Sequence, residues 1–439
     1  AAGAGALEVG DLQIGILSDV YLSGVWVAAL DRLVQMAEAM AESALADSAR
    51  AIRAKAIRTL EERLWMPRLR QYGFALLQDR SVNPSLTAWP ATAMSFGVLD
   101  PTHGAEMAAR LASSTLMTDW GSRPLAATSP LFDPLHYNNG AVWPFVTGWV
   151  ALAEYRYHNA PAGWFALQAI VHTGFDFSLG RNPEVFSGRL YQPLDTAVPQ
   201  QFFATSMVLT PLLRGLLGIE VDVPARRVRI APHLPVGWDS VAVDHLPVGG
   251  ERWSLVIRRS PGRIAASVRR PAGSPEPFEL SFSPALPLGA RTAGAGVTQE
   301  PTPGDLHATV RVRVGAAAEL RVSYKGGWSI VAPPMPPVIG SRSVAPRVLS
   351  ERLDSAANGS FAVSLEGLAG RSYAFRVQAP DAPTALSLVA DTGPGGAVTL
   401  GEGGGRRAER VVTITFPASD ANEDGYVALR VTFRGRQGR

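Results

Sequence analysis

The amino-acid sequence predicts a multidomain protein in which an all-α region is followed by two antiparallel β-sandwich modules. Up to residue 222, apolar residues recur three and four positions apart, which is typical of helices that bury one face. Beyond Pro224, short runs alternate between apolar and polar residues and end at glycine or proline, which is typical of strands. A proline-rich run at 332–338 divides this β region. The length of 439 residues agrees with about three domains.

The helical region, residues 1–222, is predicted to contain seven helices joined in part by long loops. Ser18 or Asp19 can cap the first helix, and Gly218 follows the last one. Pro211 is expected to kink that last helix. The predicted helices are 18–40, 48–65, 86–96, 104–116, 140–157, 162–179 and 200–217.

The β region is predicted to form two modules of different kinds. The first module, residues 223–331, follows the helices directly and is expected to have a structural role. Residues 332–338 are predicted to be a stiff, extended linker. The second module, residues 339–439, is predicted to be an Ig-like sandwich. Its aromatic residues fall at strand spacing, so we expect them in the core and not in an exposed row that binds polysaccharide.

The composition excludes several classes of function. The net charge of +3 is too small, over this length, for a surface that binds nucleic acid. The chain has no cysteine, so it has no disulfide scaffold and no cysteine nucleophile. No apolar run is long enough for a transmembrane helix, and no membrane partner is expected. The histidines show no metal-ligand spacing, so we expect neither a metal site nor a cofactor.

Three loops carry residues suited to chemistry on sugars, at 5–11, 133–144 and 181–201. They combine aromatic rings, which can stack on sugar rings, with amides that bond hydroxyls and carboxylates that transfer protons. Hydrolysis of a glycosidic bond needs two carboxyl groups, one that protonates the leaving oxygen and one that activates water or attacks carbon. Glu8 and Glu184 stand in such loops beside apolar residues. Each has a simpler interpretation as a solvated surface group, and Asp11 competes with Glu8 for the acid role.

Two of these loops resemble motifs of the six-hairpin, (α/α)6-barrel glycosidases, in particular the glucoamylase and glycogen-debranching amylo-α-1,6-glucosidase group. The stretch Tyr137-Asn138-Asn139-Gly140-Ala141-Val142-Trp143-Pro144 resembles that group's Tyr-x-x-Gly-x-x-Trp-Pro substrate loop. The stretch Asn182-Pro183-Glu184-Val185-Phe186-Ser187-Gly188 resembles its Pro-Glu loop, and Gln200-Gln201 resembles the start of its last helix. The resemblance extends from Trp120 to Gly218.

The resemblance implies an all-α (α/α)6 toroid of twelve helices, of which the last seven would be present. In that group the catalytic acid lies on the loop before the sixth helix and the base on the loop before the twelfth. With the predicted helices taken as the sixth to the twelfth, Glu8 falls on the acid loop and Glu184 on the base loop. The resemblance therefore implies that Glu8 is the catalytic acid and Glu184 the catalytic base.

The resemblance also implies a set of substrate-binding residues around these two carboxylates. Trp120 and Trp143 have the alternative of being packed core residues that do not contact substrate. Arg123 has the alternative of forming a structural ion pair. His136 has the alternative of a hydrogen-bonded structural histidine. The candidate substrate-binding residues are Trp120, Arg123, His136, Tyr137, Asn139, Trp143 and Gln200.

The residues of these loops predict a glycosidase. The resemblance implies an exo-acting enzyme that hydrolyses α-linked glucosides of an oligo- or polysaccharide with inversion, with Glu8 as the acid and Glu184 as the base. The alternatives on the same barrel are an α-mannosidase or mannosylglycerate-hydrolase-like enzyme, a trehalase-like or rhamnosidase-like enzyme, a phosphorylase, and a polysaccharide lyase. A non-catalytic carbohydrate-binding fragment is a further alternative. We expect the N-terminal part of the barrel to be supplied by another segment or chain. The two β modules favour a periplasmic or secreted protein over a cytoplasmic one.

Overall fold

The structure is a computed structural model of the chain. It describes residues 15–274, 276–294, 296–354, 360–380, 388–392, 396–400, 409–418 and 420–435. Seven helices occupy the first half of this described part, as the sequence predicts, with ends that differ from the prediction by a few residues. The helices are α1 (Val20–Ala39), α2 (Ser43–Leu64), α3 (Pro90–Ser95), α4 (Pro101–Leu111), α5 (Pro144–Arg156), α6 (Ala160–Asp176) and α7 (Phe202–Thr210).

The ends of the helices follow from local sequence. The side chain of Asp19 caps α1 by accepting a hydrogen bond from the amide of Leu22 at 2.7 Å. Asp100 caps α4 in the same way, through the amides of Thr102 and His103. At Pro211 the α-helical hydrogen bonding of α7 gives way to a π-helical turn, Pro211–Leu216, because proline has no amide hydrogen to donate. The sequence predicts a kink at Pro211 inside one helix, whereas the structure ends α7 at Thr210 and continues with this turn.

The helices pack in two rows. The alternate helices α1, α3, α5 and α7 contact one another in sequence and form one row. Helices α2, α4 and α6 each pack on the helix that precedes them and form the other row. A buried core of apolar residues from α1 to α6 lies among them. We refer to these two rows of paired helices as the helical arc. In it the loop before α5 lies next to the loop before α7.

Short strands pair in the loops that connect these helices. Strands β1, β4 and β5 form one antiparallel sheet, and β2–β3 and β6–β7 form two-stranded ribbons. The last of these ribbons lies next to the candidate site loops. The strands are β1 (Ile16–Asp19), β2 (Trp65–Met66), β3 (Gln71–Tyr72), β4 (Ala75–Leu77), β5 (Val82–Asn83), β6 (Met117–Thr118) and β7 (Gly121–Ser122).

The first β module is a sandwich of two sheets. One sheet has the order β10-β11-β12-β18-β15, and the other has the order β14-β17-β13-β9-β8 with β16 also paired to β17. Strands β9 and β13 pair in parallel, so the prediction of a purely antiparallel module is corrected here. The strands are β8 (Ile219–Asp222), β9 (Arg227–Ile230), β10 (Ser240–Val248), β11 (Glu251–Ser260), β12 (Arg263–Arg269), β13 (Phe278–Phe282), β14 (Ala285–Leu286), β15 (Arg291–Ala293), β16 (Thr298–Pro301), β17 (Leu306–Val314) and β18 (Ala317–Lys325).

The second β module is also a sandwich, with sheets ordered β19-β22-β25-β24 and β20-β21-β26-β23. Its first strand, β19, precedes the proline-rich run, so this module begins at Ser329 and not after the predicted linker. Tyr373 and Phe433 are buried in its core, as expected. The strands are β19 (Ser329–Val331), β20 (Arg347–Asp354), β21 (Ser360–Leu368), β22 (Ser372–Gln378), β23 (Leu388–Asp391), β24 (Ala397–Leu400), β25 (Glu409–Thr415) and β26 (Tyr426–Gly435).

Buried polar contacts fasten the second module to the helical region. Arg347 and Asp119 form an ion pair at 3.1 Å, with both side chains almost completely buried. The amides of Val344 and Ala345 also donate to Asp119. None of the described helices has the length and apolar character that a membrane crossing requires.

Candidate active site

Two of the predicted site loops lie side by side. Val142 and Phe186 exchange backbone hydrogen bonds of 2.8 and 2.9 Å, so the loop 133–144 and the loop 181–201 are joined by a short antiparallel bridge. The amide of Gly188 donates to the carbonyl of Pro134 at 2.8 Å and continues this contact. The bridge places the residues around Tyr137 next to those around Glu184.

Gly188 permits the close approach of the two loops. A Cβ atom on this residue would lie 2.2 Å from the carbonyl oxygen of Gly140, a separation that side-chain carbons do not tolerate. Because the obstacle is backbone, it cannot rotate away as a side chain could. The glycine in the Glu184 loop is therefore required by the packing of one loop against the other.

Glu184 is buried, and its carboxylate is held by three donors. Oε1 accepts a hydrogen bond from the hydroxyl of Tyr137 at 2.6 Å and one from Nε2 of Gln201 at 3.3 Å. Oε2 accepts a hydrogen bond from the amide of Val198 at 3.1 Å. The donors come from the two joined loops, Tyr137 from one and Val198 and Gln201 from the other, which fixes the direction of the carboxylate.

The loop that carries Glu184 is anchored to the neighbouring helices. Asn182 is buried, and its Nδ2 donates to the carbonyl of Ile170 and to the hydroxyl of Thr173, both on α6. The amide of Gln201 donates to the carbonyl of Asn182 at 2.8 Å. The start of α7 and the end of α6 therefore hold the loop at both sides of Glu184.

Gln201, which the sequence analysis did not select, is the glutamine that contacts Glu184. The selected residue, Gln200, is exposed, and its side chain bonds Arg181 and Ser178. The signal in the sequence is the start of the helix. Gln201 immediately precedes α7, and its side chain bonds Glu184, whereas the side chain of Gln200 bonds the start of the same loop.

Tyr137 and Trp143 form an aromatic pair over the Glu184 loop. Their rings meet edge to face at 4.7 Å, and Nε1 of Trp143 donates to the carbonyl of Tyr137 at 3.1 Å. Both side chains are half-buried against Ala141 and Val185. The pair keeps the hydroxyl of Tyr137 directed at Glu184 and leaves part of each ring accessible.

Trp120 lies in the packed interior. It is 1% exposed, its Nε1 donates to the carbonyl of Ser187 at 3.0 Å, and its ring stacks on that of Tyr191. This position corresponds to the core alternative, since a sugar has no access to the indole.

Arg123 is likewise buried, and its guanidinium bonds protein groups. Nε and Nη2 donate to the carbonyl of Gly188, and Nη1 donates to the carbonyl of Ser114. Nη2 also pairs with Asp424 of the second β module at 2.8 Å. Arg123 therefore has the structural role that was its alternative, as a link between the Glu184 loop and the second module.

His136 and Asn139 belong to the turn before α5. Nδ1 of His136 accepts hydrogen bonds from the amides of Asn138 and Asn139, which corresponds to the structural alternative for this histidine. Oδ1 of Asn139 is buried and has no hydrogen-bond partner among the described residues. Asn139 thus has an acceptor to offer beside the loop.

Glu8 and its competitor Asp11 lie outside the described residues. A cavity of about 970 Å³ lies elsewhere, between α6, the first β module and the segment 328–337. None of the sequence-predicted site residues that the structure describes lines it.

A known family matches part of this chain. The model described as the mannosylglycerate hydrolase MGH1-like glycoside hydrolase domain matches residues 13–171. The matched description is of a glycoside hydrolase domain, the class of enzyme that the sequence analysis predicts. The matched range includes the loop with Tyr137 and Trp143 and ends before Glu184. No curated protein sequence matches the chain.

Several solved structures resemble parts of the chain. A GH63 mannosylglycerate hydrolase from Thermus thermophilus has 18% identity and a TM-score of 0.35, with 44% of this chain and 45% of that one covered. An α-L-rhamnosidase from Dictyoglumus thermophilum has 6% identity and a TM-score of 0.42, with 66% and 30% covered. A sialidase has 15% identity and a TM-score of 0.48, with 56% and 25% covered. The chain thus spans between a quarter and a half of the length of these proteins.

Proposed function

We propose that this chain carries the catalytic base of an inverting α-glycosidase and that Glu184 is that base. The observation that carries the proposal is the set of donors on its carboxylate, from Tyr137, Gln201 and Val198. A general base must be correctly directed, and three fixed donors hold the carboxylate in one direction. The match to a glycoside hydrolase domain supports the reaction class.

The hydrogen bonds of Glu184 suggest how it would act. Within the described residues, Oε2 accepts one hydrogen bond, from the amide of Val198, so its second lone pair can take a proton from water. The water, held by Oε2, would attack the anomeric carbon from the face opposite the leaving group. Tyr137 and Gln201 would keep Oε1 in place during the transfer.

Glu8 completes this proposal as the general acid that protonates the leaving oxygen. Inversion requires room for the attacking water, so the two carboxyl groups are expected to lie about 6.5–9.5 Å apart, whereas a separation of about 5 Å would correspond to retention. Tyr137, Asn139, Trp143 and Gln200 are proposed to face the sugar.

Two α-linked substrates are candidates. The loop motifs favour the α-glucosides of a glucoamylase-like or debranching enzyme. The description of the matched family favours the α-mannoside of a mannosylglycerate-hydrolase-like enzyme. The acid and base roles are the same in both, so the sugar pocket alone would distinguish them.

Further helices, from another segment or chain, are proposed to complete the ring of an (α/α)6 toroid. The helices at both ends of the arc carry exposed apolar side chains. On α1, Trp26 is 46% and Met36 62% exposed, and on α7, Phe202 is 86% and Leu209 60% exposed. Apolar surface of this kind commonly marks an interaction site.

Substitution Glu184→Gln in the full polypeptide tests the base assignment. We expect kcat to fall about 10²–10⁴-fold with little change in stability, since the amide keeps the shape of the carboxylate but cannot accept the proton. Release of product from α-glucosides, α-mannosides and mannosylglycerate, followed by NMR of the product anomer, gives both rate and stereochemistry.

The matched control is Glu62→Gln, which changes an exposed carboxylate on α2 and should leave turnover unchanged. Retention of most of the activity in Glu184→Gln would refute the base role. A product of retained configuration would refute inversion.

A further inference from the structure

Four side chains meet where the helical region contacts the first β module. His158 lies in the corner between α5 and α6, and His233 lies in the loop after β9. Asp305 immediately precedes β17, and His307 is the second residue of that strand. Asp305, His233 and His307 are buried, and His158 is half-buried. The sequence analysis predicted no metal site because these residues show no characteristic spacing, and the fold alone brings them together.

The ligand-type atoms of these residues converge. One nitrogen from each imidazole and one oxygen of Asp305 all lie within 4.8 Å of one another. Nε2 of His233 is 3.3 Å from Nε2 of His307 and 3.2 Å from Oδ2 of Asp305. Nδ1 of His158 is 3.1 Å from Oδ1 of Asp305. Ligand atoms at about 2.0–2.1 Å from a tetrahedral zinc ion are separated by about 3.3 Å, which is close to the His233–His307 contact and to the shortest contact of each Asp305 oxygen with a histidine.

Other hydrogen bonds leave the converging atoms available. Nδ1 of His307 lies 2.7 Å from the carbonyl of Ser283, which can only accept, so Nδ1 carries the proton and Nε2 of the neutral ring has a free lone pair. Oδ1 of Asp305 accepts a hydrogen bond from the hydroxyl of Thr302 at 2.7 Å. Oδ2 of Asp305 lies 3.2 Å from Nε2 of His233, and Nδ1 of His158 lies 3.1 Å from Oδ1 of Asp305, so the partners that the structure gives these buried atoms are other members of the cluster.

The backbone around the cluster is arranged for close contact. His158 has a φ of +62°, in the left-handed region, which turns its side chain out of the helix corner toward the β module. Gly304, next to Asp305, lies so close to His158 that a Cβ atom would be 1.9 Å from the carbonyl oxygen of His158. Strained backbone and an obligatory glycine at the same contact indicate that the two segments are held together here.

We propose that His158, His233, Asp305 and His307 bind a zinc ion that fastens the first β module to the helical region. Three imidazoles and one carboxylate are a ligand set that zinc prefers. Four protein ligands leave no open position for substrate, so the ion has a structural role. His233 and Asp305 line the cavity of about 970 Å³, which gives the ion a path from solvent. This inference does not depend on the proposed function.

The competing arrangement is a metal-free network in which a protonated imidazole bonds the other histidine and Asp305. Metal titration distinguishes the zinc site from this metal-free network. The full chain, without a histidine tag, is dialysed against EDTA and then titrated with Zn²⁺ and, separately, with Co²⁺. We expect one metal ion per chain, the visible absorption bands of tetrahedral Co²⁺, and a Tm that falls by several degrees when EDTA removes the zinc.

The substitutions His233→Asn and His307→Gln are expected to abolish binding, and the Gln side chain can keep the hydrogen bond to Ser283. His245→Asn is the matched control, since His245 is exposed on β10 and outside the cluster. Circular dichroism identifies variants that fail to fold. The proposal is overturned if the stripped wild-type chain, still folded, takes up neither Zn²⁺ nor Co²⁺, or if folded cluster variants bind as the wild type does.

Discussion

At the scale of single residues, the position of Glu184 depends on contacts that are distant in sequence. The hydroxyl that bonds its Oε1 comes from Tyr137, 47 residues earlier, and the amide that bonds Oε2 comes from Val198, 14 residues later. The residue types in these loops are readable from the sequence, because sugars require aromatic, amide and carboxylate groups. The pairing of one with another depends on the loop bridge at Val142 and Phe186.

Substitution Tyr137→Phe tests whether this hydroxyl positions Glu184. Loss of the 2.6 Å hydrogen bond frees Oε1 on one side, so we expect kcat to fall about ten- to a hundredfold while KM changes little. Steady-state kinetics of the full polypeptide measures both values. Tyr324→Phe, which removes a hydroxyl from β18 in the first β module, is the control and should leave kcat unchanged. Equal kcat values in all three proteins would contradict the positioning role.

Glu351 is a buried carboxyl group whose titration should affect stability. Burial raises the pKa of Glu351 to about 8, and the nearby charge of Asp305 adds to the effect, although a hydrogen bond from the amide of Ile330 opposes it. The folded chain therefore keeps a proton that the unfolded chain releases above its ordinary pKa of 4.5. The associated stability is complete below about pH 4.5 and is lost as the pH rises toward 8.

Glu351→Gln is neutral at every pH and retains an acceptor for Ile330. We expect its free energy of unfolding to match the wild type near pH 5 and to exceed it near pH 8, by on the order of 2 kcal/mol. Urea unfolding at the two pH values measures the difference. Glu300→Gln, an exposed substitution on β16, should show no such change between pH 5 and pH 8. A difference that is the same at both pH values would contradict a raised pKa.

At the scale of elements, the helices were predictable because their signals are local. Apolar spacing marks their length, and Asp19 marks the start of α1. The cap at Asp100 and the end of α7 before Pro211 were not predicted. The β modules were predictable as modules but not in topology. The parallel pairing of β9 with β13 joins segments about 50 residues apart, and β19 pairs across the proline-rich run. Strand periodicity indicates which side chains of a strand are buried, but it does not indicate which other strand pairs with it.

The contact between the two site loops gives a prediction at this scale. Gly188→Ala would place a methyl group 2.2 Å from the carbonyl oxygen of Gly140, so the loops must separate. We expect a loss of stability of about 1–3 kcal/mol and a lower kcat, because the bridge that aligns Tyr137 with Glu184 is disturbed. Chemical denaturation and steady-state kinetics measure the two effects.

Gly315→Ala is the control for this substitution. Gly315 has ordinary backbone angles and nothing within 4 Å of an added Cβ atom, so the change should stay within about 0.5 kcal/mol. A Gly188→Ala variant as stable and active as Gly315→Ala would show that the loops do not require their observed separation.

At the scale of the whole molecule, the second β module contributes to the candidate site from a distance. Asp424 lies 301 residues from Arg123 in the chain, yet the two form a buried ion pair. The same guanidinium donates to the carbonyl of Gly188, in the Glu184 loop. No local pattern could reveal this link, since Asp424 stands in a polar turn of ordinary composition. The second β module thus stabilises the Glu184 loop through Asp424 and Arg123.

Asp424→Ala would leave the buried guanidinium of Arg123 without its counter-ion. The same guanidinium donates hydrogen bonds to the carbonyl of Gly188, so the substitution should also disturb the Glu184 loop. We expect a loss of about 3–5 kcal/mol in the free energy of unfolding, the cost typical of an uncompensated buried charge, together with a lower kcat. The neighbouring substitution Glu423→Ala removes an ion pair with Arg189. The side chain of Glu423 is 64% exposed, so this substitution should lower the free energy of unfolding by about 0–1 kcal/mol. Urea unfolding of both variants compares a buried and an exposed pair in one turn. Similar losses for the two would mean that the second module does not act on the site through Arg123.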